Sequence, residues 1–157
     1  MKILLGNDHA GLRLKEEIQR HLESRGVQVE DFGTYDESAV DYPDFARMVA
    51  GGVSRGEADR GILVCGSGVG MSIVANKFPR VRAALVTSLA VAEQSRAHVD
   101  SNVLVFGEKF IAPDIAMKAL DTWLDTPFEG GRHERRVHKI AAIETEIAGE
   151  ILRNSTR

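Results

Sequence analysis

Cysteine is nearly absent from this chain of 157 residues, which contains only Cys65. A single cysteine excludes an internal disulfide framework and is typical of proteins from a reducing compartment. Long apolar runs are also missing, since none approaches the roughly 20 residues that cross a bilayer. The first residues, MKILLGNDHAG, lack the apolar core and cleavage site of a signal peptide. These absences predict a cytoplasmic protein that contacts no membrane.

An excess of charge of one sign is absent as well. The chain carries 20 Lys and Arg against 23 Asp and Glu, which gives a formal net charge of −3. No positive field therefore argues for nucleic acid as a partner. With 43% hydrophobic and 27% charged residues, the composition is that of an ordinary globular protein. The length suits one domain with a two-sided core.

Short apolar runs alternate along the chain with amphipathic segments of helical periodicity. This alternation predicts an α/β protein, formed by a single open five-stranded parallel sheet with helices on both faces. We expect the Rossmann or flavodoxin-like strand order 2-1-3-4-5 and a long C-terminal helix. The predicted strands are residues 2–5, 27–33, 61–65, 81–86 and 102–106, and the predicted helices are 11–26, 41–56, 69–77, 88–98, 112–126 and about 131 through the 150s.

In a sheet of this kind, ligands bind beyond the carboxyl ends of the strands, where the strand order reverses. For the expected order, that point lies between the first and third strands. The loops that leave these strands are GNDHAG and CGSGVG. The topology therefore predicts that Asp8, His9 and Cys65 surround one crevice.

The loop after the third strand is rich in glycine, at Gly66, Gly68 and Gly70. Glycines let backbone amides approach a ligand closely, and a helix N-terminus adds unpaired N–H groups that suit an anion. The spacing matches neither a Walker loop nor the dinucleotide fingerprint, and a tight turn without a ligand is equally consistent. Cys65 itself is either a buried filler or a reactive thiolate favoured by the helix N-terminus.

Four further polar positions have two interpretations each. Asp8 is either part of a site or a helix N-cap, and His98 is either a proton shuttle or a surface histidine without a role. Arg132 and Arg136, spaced i, i+4, share one helical face and match a phosphate or form a solvated surface. A second subunit could bring them to the crevice. His133 and His138 lack carboxylate or cysteine partners at ligand spacing, so we expect no metal site.

Together these segments resemble the ribose-5-phosphate isomerase B family, with its galactose-6-phosphate and allose-6-phosphate isomerase relatives. The resemblance covers about residues 1–146, which we assign to a sugar-phosphate isomerase α/β domain. Residues 147–157 are left as a C-terminal helical extension. The matching segments are GNDHAG, DFGTYD, DYPDFA, GILVCGSGVGMSIVANKFPRVRAAL, SRAHVDSNVLVFGEK and EGGRHERRVHKIAAIE.

The resemblance implies an aldose–ketose isomerase of the pentose phosphate pathway, which interconverts ribose 5-phosphate and ribulose 5-phosphate through a cis-enediolate. It implies no metal, no organic cofactor, and a homodimer or dimer of dimers with shared active sites. Four catalytic positions follow from it. Cys65 is the base that moves a proton between C1 and C2, and Ser67 assists transfer between the two oxygens. Asp8 opens the sugar ring together with His98, which the partner subunit supplies.

The resemblance also implies which residues hold the substrate. The loop amides bind the enediolate oxyanion, His9 and the two arginines bind the phosphate, and Tyr42 lines the site. Some relatives carry a glutamate base four residues after the serine position, but here that position is Met71, which leaves Cys65 as the candidate. The substrate-binding positions are His9, Tyr42, Gly66, Gly68, Val69, Gly70, Val99, Lys109, Arg132 and Arg136.

Two departures from the family pattern keep other functions open. Val99 stands where the family has an asparagine in His-Asn-Asp, and valine offers no hydrogen bond. Lys109 stands where an arginine is frequent. The alternatives are an isomerase of another pentose or hexose phosphate or of a free sugar, and a non-catalytic sugar-phosphate-binding subunit. A flavodoxin-like nucleotide binder is weaker, because no adenine- or flavin-recognition feature stands out.

Overall fold

Strands and helices alternate along the chain as the sequence predicts. A computed structural model describes residues 1–155. In this structure the long C-terminal helix predicted from about residue 131 runs from Arg132 to Ser155. The strands are β1 (Lys2–Asn7), β2 (Gln28–Asp31), β3 (Arg60–Cys65), β4 (Ala83–Leu85) and β5 (Val103–Gly107), and the helices are α1 (Leu12–Ser24), α2 (Tyr42–Arg55), α3 (Val69–Ala75), α4 (Leu89–Ala97), α5 (Pro113–Asp125) and α6 (Arg132–Ser155).

All five strands are parallel, and their order is β2-β1-β3-β5-β4. The predicted α/β class and the reversal of strand order between β1 and β3 are confirmed. The predicted order 2-1-3-4-5 is wrong for the last two strands. Every residue of β5 is buried, whereas β4 has three half-buried residues. A strand that is apolar on both faces belongs inside a parallel sheet, so β5 pairs with β3 and the short β4 takes the edge.

The sheet separates two apolar cores, because successive side chains of a strand point to opposite faces. In β1, Ile3 and Leu5 join the core under α1 and α5, while Leu4 joins the core under α2 and α3. Trp123 of α5 is fully buried in the first core. Its indole N–H donates to the Ser101 hydroxyl at 2.7 Å.

Helix α6 carries a row of half-exposed isoleucines, Ile140, Ile143 and Ile147, which we call the α6 stripe. The stripe borders a groove of about 380 Å³ between α6 and the segment around β4. Helix α6 continues through position 146 without a break. The boundary between the isomerase domain and the C-terminal extension stays a prediction. Residues 156–157 of that extension lie outside the described part. Among residues 1–155, no helix combines the length and apolar character needed to cross a membrane.

Candidate active site

The loops after β1 and β3 meet at the carboxyl edge of the sheet. The backbone N–H of Asp8 donates to the carbonyl of Val64 at 3.2 Å. A Cβ atom at Gly11 would lie 2.4 Å from the same carbonyl oxygen, so this close approach requires glycine. His9 follows Asp8 in the same loop, and its Nδ1 accepts the N–H of Val40 at 3.2 Å. The predicted meeting of Asp8, His9 and Cys65 at one edge follows from these contacts.

Cys65 is the last residue of β3 and is 4% exposed. Its side chain packs in the core under α2 and α3, and its Sγ accepts the backbone N–H of Gly68 at 3.1 Å. The thiol therefore fills space at the end of β3 and also contacts the glycine loop. Its role as a reactive thiolate stays a prediction. Ser67 is exposed beside it, and its hydroxyl oxygen accepts the N–H of Val69 at 3.3 Å.

Two more predicted residues lie at the glycine loop. The N–H of Lys109, just after β5, donates to the carbonyl of Gly66 at 3.1 Å. Tyr42 begins α2 and its ring covers Gly70, where a Cβ atom would lie 2.5 Å from the ring. We call this group the thiol cluster; its members are Asp8, His9, Tyr42, Cys65, Gly66, Ser67, Gly68, Val69, Gly70 and Lys109.

Asp8 is 6% exposed, and its carboxylate accepts the N–H of Ala10 at 2.9 Å. The side chain therefore caps the 3-10 turn His9–Gly11, as the N-cap interpretation predicted. Burial raises the pKa of Asp8, while the Ala10 N–H and the charge of His9 act in the opposite direction. A carboxyl that holds its proton more readily than usual suits a proton donor as well as a cap.

A second group forms around His98, which follows the last residue of α4. The His98 ring stacks on the ring of His133, with centroids 4.2 Å apart and planes 5° from parallel. Arg132, the first residue of α6, donates from Nε to Nε2 of His133 at 3.2 Å. Arg136 lies one turn further along α6 and is exposed, as is Arg132. With Val99, which follows His98, we call these residues the histidine cluster.

His133 is a functional candidate that the sequence analysis considered only as a metal ligand. Its burial, then the charges of His98 and Arg132, lower its pKa, and the nearby Glu129 carboxylate opposes them. The expectation that His133 lacks a carboxylate partner is wrong, because Glu129 Oε2 lies 3.4 Å from its Nε2. The i, i+4 spacing of Glu129 and His133 was the available signal.

Nitrogen and oxygen atoms of His98, Glu129 and His133 lie within 4.8 Å of one another, close enough to hold a metal ion. Two observations act against a cation there. Arg132 already donates to His133 Nε2, and the positive charges of Arg132 and Arg136 both lower the pKa of His133. The surplus of positive charge makes this corner better suited to an anion.

The two clusters lie at opposite ends of the parallel strands, the thiol cluster at the carboxyl ends and the histidine cluster at the amino ends. Cys65 pairs with Gly107 at the end of β5, whereas Gly61 pairs with Val103 at its beginning. His98 precedes Val103 in sequence, so it lies at the amino edge. The length of β3 separates the edges, roughly 15 Å at the rise of a parallel strand. One chain therefore does not bring Cys65 and His98 together.

The parallel sheet, with a thiol and a glycine loop where its strand order reverses, places this protein in the class of open α/β proteins with a site at the carboxyl ends of the strands. The model of the Ribose/Galactose Isomerase family matches residues 3–140. Ribose-5-phosphate isomerase B of Escherichia coli is 49% identical over 143 residues, which cover 91% of this chain and 96% of the relative. The chain belongs to the ribose/galactose isomerase family.

Solved structures agree with this assignment. Ribose-5-phosphate isomerase B of Clostridium thermocellum superposes with a TM-score of 0.92 at 50% identity, covering 94% of this chain and 99% of that one. The enzyme of Mycoplasma genitalium, solved with bound ribulose-5-phosphate, gives a TM-score of 0.89 at 43% identity and covers 92% and 97%.

Proposed function

We propose that this protein interconverts ribose 5-phosphate and ribulose 5-phosphate through a cis-enediolate, as an enzyme of the pentose phosphate pathway. Membership of the family and the E. coli relative support the reaction, and the relative from M. genitalium binds ribulose-5-phosphate. The observation that carries the proposal for this chain is the placement of Cys65. Its sulfur ends a central strand directly below the glycine loop and contacts a loop amide. No metal or organic cofactor enters the proposed reaction.

The proton transfers follow from the chemistry of an open aldose. The Cys65 thiolate takes the proton from C2, and the electron pair moves onto O1 to form the enediolate. Ser67 passes the O2 proton to O1, and the Cys65 thiol returns its proton to C1 as the C2 carbonyl forms. The amides of the loop from Gly66 to Gly70 stabilise the negative oxygen. A second base is absent from the helix that follows, because Met71 is apolar and fully buried.

Ring opening and phosphate binding involve both clusters in this proposal. Asp8, whose pKa is raised by burial, and His98 exchange the protons that open the furanose. His9 binds the phosphate together with Arg132 and Arg136, which are spaced to present two guanidinium groups on one face of α6. Tyr42, Val69, Val99 and Lys109 complete the substrate-binding set.

We further propose a homodimer, or a dimer of dimers, in which the thiol cluster of one subunit meets the histidine cluster of the other. The support is the separation of Cys65 and His98 within one chain. A second copy would also cover the half-exposed α6 stripe. The reducing cytoplasm is the proposed location, because the chain's one cysteine is free.

Subunit complementation tests the shared site. We expect Cys65→Ala and His98→Ala each to be severely impaired, and a mixture dissociated and reassembled together to regain activity. Random pairing makes half of the dimers mixed, each with one complete site of two, so the recovery is about a quarter of the wild-type rate. The control mixes Cys65→Ala with the double variant, which lacks a complete site in every pairing. Mixed dimers detected by native mass spectrometry without recovered activity would contradict the shared site.

Val99 favours a second candidate, an isomerase for another sugar phosphate or a free sugar. Its side chain is 39% exposed within the histidine cluster and offers no hydrogen bond to a sugar hydroxyl. A panel of pentose and hexose phosphates and free ribose, assayed with the purified protein, distinguishes the candidates. Turnover of no sugar in this panel would favour the non-catalytic binding subunit instead.

A further inference from the structure

His133 occupies one whole face of the His98 ring. The two imidazoles are parallel within 5°, at a centroid separation of 4.2 Å. His133 is 4% exposed, whereas the side chain of His98 is 38% exposed. The partly exposed histidine therefore rests on a buried one.

Two polar side chains lie against Nε2 of His133, and a backbone hydrogen bond ties the segment before it to α4. Nε2 accepts from Arg132 Nε at 3.2 Å, which in the neutral ring places the proton on Nδ1. Oε2 of Glu129, in the segment before α6, lies 3.4 Å from the same nitrogen. The backbone N–H of Glu129 donates to the carbonyl of Ala97 at 3.0 Å, so the segment that carries His133 is tied to the residue before His98.

Apart from the stacked ring of His133, few contacts restrain the side chain of His98. Its backbone N–H donates to the carbonyl of Gln94 at 2.9 Å, which fixes the main chain but not the ring. The nearest carboxylate oxygen, on Glu129, lies 3.9 Å from its Nε2, beyond hydrogen-bond distance. The stacked ring of His133 is thus the contact that defines where the His98 ring lies.

We propose that His133 is a positioning residue that holds the His98 ring in the orientation needed to open the furanose. This inference rests on the proposed function, in which His98 exchanges a proton with the closed sugar. Such a transfer requires a donor and acceptor within about 3 Å, and a small misplacement of the ring lowers its rate steeply. His133 does not reach the sugar; it acts through His98.

The chemistry of the two sugar phosphates separates positioning from a merely structural role. Ribose 5-phosphate is closed through O4, whereas ribulose 5-phosphate stays open because its O5 carries the phosphate. The forward reaction therefore needs ring opening, and the reverse reaction to the open aldose does not. A defect in ring opening lowers the forward rate per enzyme and leaves consumption of the ketose unchanged. At high enzyme concentration, the forward rate then levels off at the spontaneous rate of ring opening in solution.

Three substitutions separate the ring of His133 from its nitrogens. His133→Ala removes the ring, His133→Phe keeps a ring that stacks, and His133→Gln keeps an acceptor for Arg132 without a ring. We expect Ala and Gln to lower the forward rate by about tenfold or more, with the reverse rate changed less than about twofold. We expect Phe to restore most of the forward rate. The matched control is His138→Ala, at an exposed histidine five residues further along α6.

The outcomes are decisive in both directions. An equal loss of forward and reverse rates in His133→Ala, or no loss in either, overturns the inference. So does a normal forward rate in His133→Gln with a low one in His133→Phe, since the nitrogen and not the stacked ring would then matter. Wild-type protein that converts neither sugar phosphate overturns the proposed function itself, which is a separate result. Each rate is divided by the concentration of folded protein, which is determined by circular dichroism.

Discussion

The backbone N–H of Gly68 donates to Sγ of Cys65, three residues earlier in the chain, at 3.1 Å. The loop bends back on the sulfur because Gly68 has a left-handed φ of 76°. A Cβ atom there would lie 2.3 Å from Leu85 and 3.1 Å from the backbone of β5. The position of the thiol below the loop amides therefore depends on a residue without a side chain.

Gly68→Ala is expected to destabilise the fold and displace the loop. The left-handed φ costs about 1 kcal/mol for alanine, and the clash with Leu85 and β5 adds to it, for a total of about 2–4 kcal/mol. Gly56→Ala is the matched control, since Gly56 has φ 77° but open space around its Cα. Urea unfolding measures both variants. Equal losses of unfolding free energy in the two would show that the close packing at Gly68 is unimportant.

Cys65→Ala is expected to lower kcat by about a thousandfold or more, because it removes the base that moves the carbon-bound proton. The fold should survive, since the lost sulfur is one buried atom at the end of a strand and costs about 1 kcal/mol. Steady-state kinetics with ribose 5-phosphate and thermal unfolding check both parts. Cys65→Ser serves as the near-isosteric control and is also expected to be slow. A near-normal rate in the alanine variant would eliminate Cys65 as the base.

Arg136→Ala is expected to raise KM for ribose 5-phosphate by about tenfold or more, because a charge-assisted bond to phosphate contributes about 1.5–3 kcal/mol. The adjacent Arg135, which is also exposed, provides the control, since it is not one of the proposed phosphate ligands. Arg135→Ala should leave KM within about twofold. If both variants shift KM alike, the effect is one of general charge and the assignment of Arg136 to the phosphate is wrong.

Much of the fold was predictable because its signals are local. The apolar run ILVC and the punctuating Gly26 and Gly56 place strands and helix ends, and both glycines have positive φ. The order of β4 and β5 was not predictable in this way, because strand neighbours are chosen by burial across the whole sheet. The fully apolar β5 displaced the three-residue β4 to the edge.

In the candidate site, too, the features with local signals were predictable from the sequence and the long-range contacts were not. Strand ends placed Asp8 and Cys65 at one crevice from topology alone, and the structure agrees. The stack of His98 on His133 joins residues 35 positions apart, and no periodicity in the sequence reports a contact between a loop and the start of a distant helix. The carboxylate of Glu129 was within reach of local reasoning, at i, i+4 from His133, but only burial of His133 makes that pair informative.

Asp8 gives a prediction for pH dependence whose sign follows from burial. Its pKa in the folded protein is raised above the ordinary value of 3.8, so between those two values the folded chain binds more protons than the unfolded chain. The contribution of Asp8 to the unfolding free energy therefore falls as pH rises through this window and stays reduced at neutral pH. Asp8→Asn cannot ionise, and its side-chain oxygen still accepts the Ala10 N–H. We expect its stability relative to wild type to increase from acid to neutral pH, although its ring-opening activity is lost.

Asp36→Asn tests the sign of this effect, because the two carboxyl groups are shifted in opposite directions. The Ser38 backbone N–H lowers the pKa of Asp36, so its ionised form stabilises the fold above the ordinary carboxyl pKa. Its replacement should therefore lose stability relative to wild type as pH rises, where Asp8→Asn gains. Urea unfolding of the wild type and both variants between about pH 2.5 and pH 7 measures the two slopes, since the shift of Asp36 acts below the ordinary pKa of 3.8. Parallel slopes for the variants would contradict a protonation of Asp8 favoured by its burial.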